Sequence, residues 1–169
     1  DIFVVGFSGA IYHFDGSSWS AMNSGTSTHL RDVWGSGPAD VYAVGNWGEA
    51  RHYDGTNWSP INLGSTQTYE AIWGSAANNV YAVGDNGALL HYDGSGWTQL
   101  FSLGSMPLTA IWGTAADNIF VTVGLWGDVV RFNGSTWSPL PTNTNLAALS
   151  VWGTASTNLY FGFTAGIRH

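Results

Sequence analysis

A Trp-Gly pair returns four times along the chain, at Trp34-Gly35, Trp73-Gly74, Trp112-Gly113 and Trp152-Gly153, spaced by 39, 39 and 40 residues. Between these pairs a turn keeps the same spacing: Asp15-Gly16, Asp54-Gly55, Asp93-Gly94 and Asn133-Gly134. A tryptophan follows each turn, at Trp19, Trp58, Trp97 and Trp137. Repetition this regular constrains the fold more than any bulk property. One unit of about 40 residues cannot bury its own apolar faces, so each must pack against its neighbours in sequence.

The unit from Tyr69 onward reads as four short strands. Strand A, Tyr69 to Trp73, is expected to stop at Gly74, and the polar link Ser75–Asn79 leads into strand B, Val80–Val83. Gly84-Asp85-Asn86-Gly87 suits a tight hairpin, because Asn and Gly tolerate the left-handed region that such turns require. Strand C, Ala88–Tyr92, runs into the turn Asp93–Gly96, and strand D starts at Trp97. Helix is excluded, since Gly and turn residues interrupt every window long enough to hold one. Four antiparallel strands in about 39 residues describe one propeller blade. The expected fold is all-β: a single domain of blade-like repeats at about 1–29, 30–68, 69–107 and 108–147, with an incomplete fifth at 148–169. One extra residue in strand B of the fourth repeat, Ile119–Val123, reads as a bulge.

Strand counting leaves the two ends unmatched. The chain opens on a B strand, Ile2–Val5, and closes on A, B and the start of a C at Ile167-Arg168-His169. A self-closed ring of four blades would carry a surplus B strand, and five blades would leave each terminal one incomplete. Completion by another copy or by further sequence is the remaining arrangement. Uncovered apolar edges invite association, so self-association or additional sequence covering the terminal strands is expected, and a head-to-tail contact that fails to close would build a filament.

Composition narrows the partners. The chain has 169 residues with a formal net charge of −7, no lysine, no cysteine and four arginines. Affinity for a phosphate backbone rests on Lys and Arg, so nucleic acid is excluded as a partner. No run is long and apolar enough for a membrane helix, and with no Met at position 1 a removed leader is compatible with the sequence. A surface of Ser, Thr, Asn and Gly is common on secreted and cell-surface proteins, and an extracellular location is expected. Asn57-Trp58-Ser59 and Asn133-Gly134-Ser135 fit the glycosylation acceptor pattern, but both lie in the repeated turn.

The segment His52-Tyr53-Asp54-Gly55-Thr56-Asn57-Trp58 resembles the Asp-box turn of sialidase-like and photosystem-assembly-factor-like propellers, with one residue fewer between Asp and Trp. The whole unit is similar to repeats of bacterial secreted propellers, and more distantly to tectonin and tachylectin-type lectins. The resemblance implies blades, and implies that the Asp-box residues are structural rather than catalytic.

Residues that repeat are expected to serve the repeat. Trp34, Trp73, Trp112 and Trp152 fit an inter-blade core. Asp15, Asp54, Asp93 and Asn133 fit turns closed by side-chain acceptors, with Trp19, Trp58, Trp97 and Trp137 packed beside them. His13, His52 and His91 share one position, filled by Arg131 in the fourth repeat. Equivalent positions stand far apart around a ring, so hydrogen bonding is expected of them, with no metal and no cofactor. Information about function lies where the repeat breaks. Two B–C hairpins carry tryptophan, Asn46-Trp47-Gly48 and Leu125-Trp126-Gly127. An exposed indole among polar groups suits stacking against a sugar ring; an indole folded onto the neighbouring D–A loop is the structural alternative. Glu49, Arg51, Asp128 and Arg131 follow on strand C as polar contacts.

A sialidase-like site needs clustered arginines with an acid and a nucleophile, which four scattered arginines and two glutamates do not build. The expectation is a non-catalytic, carbohydrate-binding, lectin-like module. The alternatives are an assembly subunit completed by strand exchange and, less favoured, a fragment of a propeller glycosidase.

Overall fold

A computed structural model describes residues 1–102, 104–124, 127–143 and 145–168. The first sheet contains β1 (Ile2–Val5), β2 (Ile11–Phe14) and β3 (Trp19–Met22). Three four-stranded sheets follow. The second holds β4 (Leu30–Gly37), β5 (Asp40–Gly45), β6 (Ala50–Tyr53) and β7 (Trp58–Pro60). The third holds β8 (Tyr69–Ala76), β9 (Asn79–Gly84), β10 (Ala88–Tyr92) and β11 (Trp97–Ser102). The fourth holds β12 (Leu108–Ala115), β13 (Asn118–Val123), β14 (Val129–Phe132) and β15 (Trp137–Leu140). The last has three strands, β16 (Ala148–Ala155), β17 (Asn158–Phe163) and β18 (Gly166–Arg168). Each sheet is an antiparallel meander in chain order.

The described residues form five sheets, the first and last of three strands and the middle three of four. β16 pairs with β17, and β1 has β2 as its paired neighbour, leaving the other edge open.

The A strands run further than the Trp-Gly signal suggests. β8 continues past Gly74 to Ala76, because Ala76 pairs with Asn79 across a two-residue turn and Ser75 is passed over as an irregularity. The extra residue of the fourth repeat also lies elsewhere than expected. β13 pairs with β14 without interruption from Ile119↔Phe132 to Thr122↔Val129, so the residue enlarges the B–C hairpin instead of bulging strand B.

Apolar side chains from facing sheets fill four successive cores. Ile11, Leu30, Val41 and Ala43 lie between the first two sheets, with Phe3 and Val5 beside them. Tyr42, Val44, Tyr69 and Leu90 fill the next, then Leu89, Val83, Ile119 and Val121, then Phe120, Val129, Val151 and Phe161. A strand sandwiched between two sheets must be apolar on both faces, and β13 is buried along its whole length.

The Trp-Gly pair explains its own repetition. A Cβ built on Gly74 would lie 2.7 Å from the Trp34 ring, and one on Gly113 would lie 2.7 Å from the Trp73 ring. Gly153 stands in the same relation to Trp112, at 3.0 Å. Each indole therefore lies over the glycine of the next A strand, where any side chain would displace it. Polar links reinforce individual junctions. Asp32 Oδ2 accepts a 2.8 Å hydrogen bond from the Ile72 N–H of the following sheet, and Thr109 Oγ1 donates at 2.7 Å to the Ala148 carbonyl.

Candidate functional site

The first three B–C hairpins lie at one end of their sheets and share a turn. Ser8, Trp47 and Asn86 occupy the left-handed region, with φ of 55°, 57° and 54°, and Gly9, Gly48 and Gly87 follow at 72°, 77° and 67°. Two successive positive φ values define the mirror-image turn that matches strand twist, a turn for which Asn-Gly is best suited. The glycine is further fixed by its neighbour, since a Cβ on Gly48 would overlap the Ser65 carbonyl in the loop leading to the next sheet.

Asn86 satisfies this turn and Trp47 strains it. A non-glycine residue in the left-handed region costs about 1–2 kcal/mol, and a bulky ring is far from the favoured choice. Trp47 is nevertheless 75% exposed, so its ring gains little from burial. Phe7, one position earlier in its own hairpin, is 80% exposed and meets the His29 ring edge-on at 4.7 Å.

A chain of polar contacts anchors the base of the Trp47 hairpin. Arg31 donates from Nε to Asn46 Oδ1 at 2.6 Å and from Nη1 to Glu70 Oε2 at 2.9 Å. Beside it a cleft of about 450 Å³ is lined by Gly6, Phe7, His29, Leu30, Arg31 and Glu70. The face thus carries two exposed rings and, next to Phe7, a cleft with both charged and apolar walls.

The polar candidates from the sequence do not all join this face. Glu49 accepts from Arg51 Nε at 2.7 Å and from Thr26 Oγ1 at 2.8 Å, so the two charges are engaged with each other and with the preceding loop. Asp128 is exposed beside the enlarged hairpin, where its carbonyl accepts from the Val123 N–H at 2.8 Å. Arg131 reaches away, donating to Asn118 at the far end of β13 at 2.8 Å, with its guanidinium 5.6 Å from the Phe120 ring centre. Trp126 lies outside the described residues. Phe7, His29, Arg31 and Glu70 escaped the sequence reading. A signal existed for the last two: Arg31 and Glu70 hold the same repeat position with opposite charge.

The Arg131 contact repeats a histidine arrangement. His13, His52 and His91 place Nε2 2.7, 2.7 and 2.6 Å from Asp1, Asp40 and Asn79. Their rings lie 4.5 Å from Phe3, Tyr42 and Tyr81 on the adjacent B strand. Burial pushes the His91 pKa down, favouring its neutral form. Among the described residues no three His, Cys, Asp or Glu side chains converge as metal ligands do.

At the opposite end, the four turns are closed alike. Asp15 accepts from the N–H groups of Ser17 and Ser18, Asp54 from Thr56 and Asn57, Asp93 from Ser95 and Gly96, and Asn133 from Ser135 and Thr136. Donation by the Ser95 hydroxyl and these amides holds Asp93 down to about 2. The tryptophans beyond them stand against Phe14, Tyr53, Tyr92 and Phe132, with ring centres 5.3, 5.3, 5.4 and 5.1 Å apart.

No protein-family model and no curated protein sequence matches this chain. Solved structures do. One titled "YCF48 bound to D1 peptide" superposes with a TM-score of 0.75 over 98% of this chain at 15% identity, and YCF48 from Cyanidioschyzon merolae gives 0.73 over 98% at 16%. The fold is a β-propeller. A catalytically inactive virginiamycin B lyase from Staphylococcus aureus, solved with quinupristin, gives 0.71 over 94% of the chain at 12% identity. The match covers 58%, 64% and 61% of those three chains, so this propeller spans about three fifths of their length.

Proposed function

We propose that this propeller is a non-catalytic binding module, secreted or held at a cell surface, that takes a carbohydrate against the Trp47 indole. The observation that carries the reading is the conformation of Trp47. A strained, exposed indole stands where Asn86 in the next sheet fills the same turn without strain. Strain kept at an exposed tip points to a role outside the fold. An indole face offers a sugar ring an apolar platform, and Asn46 and Arg31 supply polar groups at its base. Both glutamates of the chain are paired with arginines, which supports a binding rather than an acid–base role.

Trp47→Asn separates function from folding. Asn suits the left-handed turn, so this variant is expected to be more stable by roughly 1 kcal/mol and to lose glycan-array binding. Retained binding, or no glycan hit for the unaltered chain, would sink the reading. A second reading, binding of a peptide or protein on the same face, is favoured by the peptide bound to one structural neighbour. Capture of extended peptides lost on Trp47→Asn, with no glycan hit, selects it. The assembly reading is tested by light scattering, where a clean monomer of 18.0 kDa removes it.

A further inference from the structure

One position of the repeat is filled by two chemistries. Asp15, Asp54 and Asp93 close the first three turns between strands C and D, and Asn133 closes the fourth, each followed by a glycine. Asn133 is exposed, and its Oδ1 accepts from the Ser135 N–H at 3.0 Å, the Thr136 N–H at 2.9 Å and the Thr136 hydroxyl at 3.4 Å. To reach N–H groups two and three residues on, the side chain folds back over the Asn133–Gly134 peptide bond, which sets Cγ beside the Gly134 nitrogen. Gly134 is itself exposed, with φ of 91°, and has no side chain to shield that nitrogen.

The same donors have opposite consequences for the two side chains. On the aspartates they hold the carboxyl ionised. The Ser18 N–H leads for Asp15, the Asn57 N–H for Asp54 and the Ser95 hydroxyl for Asp93, and all three pKa values fall below the ordinary 3.8. An ionised carboxylate resists a nitrogen nucleophile, because its carbon bears little positive charge. Asn133 is a neutral amide, and there the two N–H groups polarise the carbonyl and already stand where they would stabilise an oxyanion. The chain's other Asn-Gly pair, Asn86-Gly87, is held differently. Asn86 lies in the left-handed region at φ 54°, and Gly87 is buried, away from the water that must take up its proton.

We propose that Asn133 is a self-modification site, converted to aspartate in the folded chain by attack of its own backbone. The Gly134 nitrogen loses its proton to water and bonds to Asn133 Cγ, closing a five-membered succinimide. Negative charge develops on Oδ1, between the Ser135 and Thr136 N–H groups. The Cγ–Nδ2 bond then breaks, and the nitrogen takes a proton from water and leaves as ammonia. A further water opens the ring, at Cγ to give aspartate or at the backbone carbonyl to give isoaspartate. Water is the one co-reactant, and nothing is oxidised or reduced. Opening at Cγ rebuilds the turn that the first three sheets carry by sequence and adds one negative charge to the formal −7. Opening at the backbone carbonyl would insert a methylene into a turn whose ends are fixed by the Phe132↔Trp137 pair, and is disfavoured. The proposal is independent of the Trp47 reading, because this turn lies at the opposite end of the sheets.

The test is mass spectrometry of the full chain aged in mildly alkaline buffer, folded and in guanidinium chloride, then cleaved after arginine. Cleavage separates the two Asn-Gly pairs into fragments 52–131 and 132–168, and tandem spectra assign each gain of one mass unit to its residue. In the folded chain the gain at Asn133 should run at least about tenfold faster than at Asn86, since an aligned oxyanion donor is worth that or more. In denaturant the two rates should converge. The aged 132–168 fragment should co-elute with the same fragment from the Asn133→Asp variant. No gain at Asn133 overturns the proposal, and so do equal rates at the two sites in the folded chain. A difference that persists in denaturant overturns it as well, because the fold would then play no part, and a predominantly isoaspartate product overturns the assignment to aspartate.

Discussion

The third sheet and the two terminal sheets are written in the same repeat but live in different surroundings. Val80 and Val83 on β9 are wholly buried between two neighbours, while the equivalent region of β1 leaves Ile2 and Val4 about half exposed. Trp73 seats against Gly113, whereas Trp152, at the same repeat position, is 57% exposed. Sequence identity of the unit is thus no measure of its stability. An interior blade is stabilised by two interfaces and a terminal one by a single interface, as nearest-neighbour coupling in repeat proteins requires.

The sharpest way to break this comparison is to delete apolar volume in both settings. Leu89→Ala, in the core between the third and fourth sheets, should cost about 2–5 kcal/mol by chemical denaturation. Ile2→Ala on the open edge should cost about 0.5 kcal/mol or less. Comparable losses would mean that the first sheet is packed as tightly as the third. A smaller contrast is expected at the indole seats. Gly113→Ala must displace the Trp73 ring and the Asn118 carbonyl, at a cost of about 1–3 kcal/mol. Gly35→Ala meets the Asp40 carbonyl and a Val41 methyl at 3.0 Å and the Gly37 carbonyl at 3.5 Å, with no indole among these three nearest atoms, and should cost less. If Gly35→Ala proves the more costly, the indole contact is not what makes Gly113 necessary.

The smallest effects concern two carboxylates with opposite pH signatures. Asp93 is held down to about 2, so its contribution is present above its ordinary pKa of 3.8 and is lost as pH falls from 3.8 towards 2. Burial raises the Asp32 pKa above 3.8 despite hydrogen bonds from the Ile72 and Val33 N–H groups. Its contribution is therefore greatest below pH 3.8 and declines as pH rises through the raised value. Asp93→Asn should flatten the acid limb of the stability profile while keeping the turn, since Asn133 closes the same turn in the fourth sheet. Asp32→Asn should remove the decline on the rising side. An unchanged profile in either variant would overturn the corresponding assignment.

Much of the fold was legible in the order of residues. The repeat length, the four strands and the Asn86-Gly87 turn follow from local conformational preference, which a neighbour does not alter. Reading β8 as ending at Gly74 failed for a cooperative reason: the strand continues because pairing of Ala76 with Asn79 tolerates the irregularity at Ser75. The candidate site was legible only in outline. Trp47 stood out as a break in the repeat, but nothing in the sequence indicates that Glu49 and Arg51 engage each other and Thr26 of the preceding loop. Arg131 follows its hairpin in sequence yet points to Asn118 at the far end of the sheet, because strand geometry rather than sequence proximity sets its reach.

The sequence by itself determined the blade, through 39-residue spacing, turn residues with the required backbone freedom, and the Trp-Gly pair. Only the tertiary structure decided that the enlarged hairpin rather than a bulge absorbs the extra residue, and that the indoles of Trp34, Trp73 and Trp112 seat on Gly74, Gly113 and Gly153. The physical reason is that blade geometry is local, whereas a seat exists only where one sheet's glycine meets the preceding sheet's tryptophan.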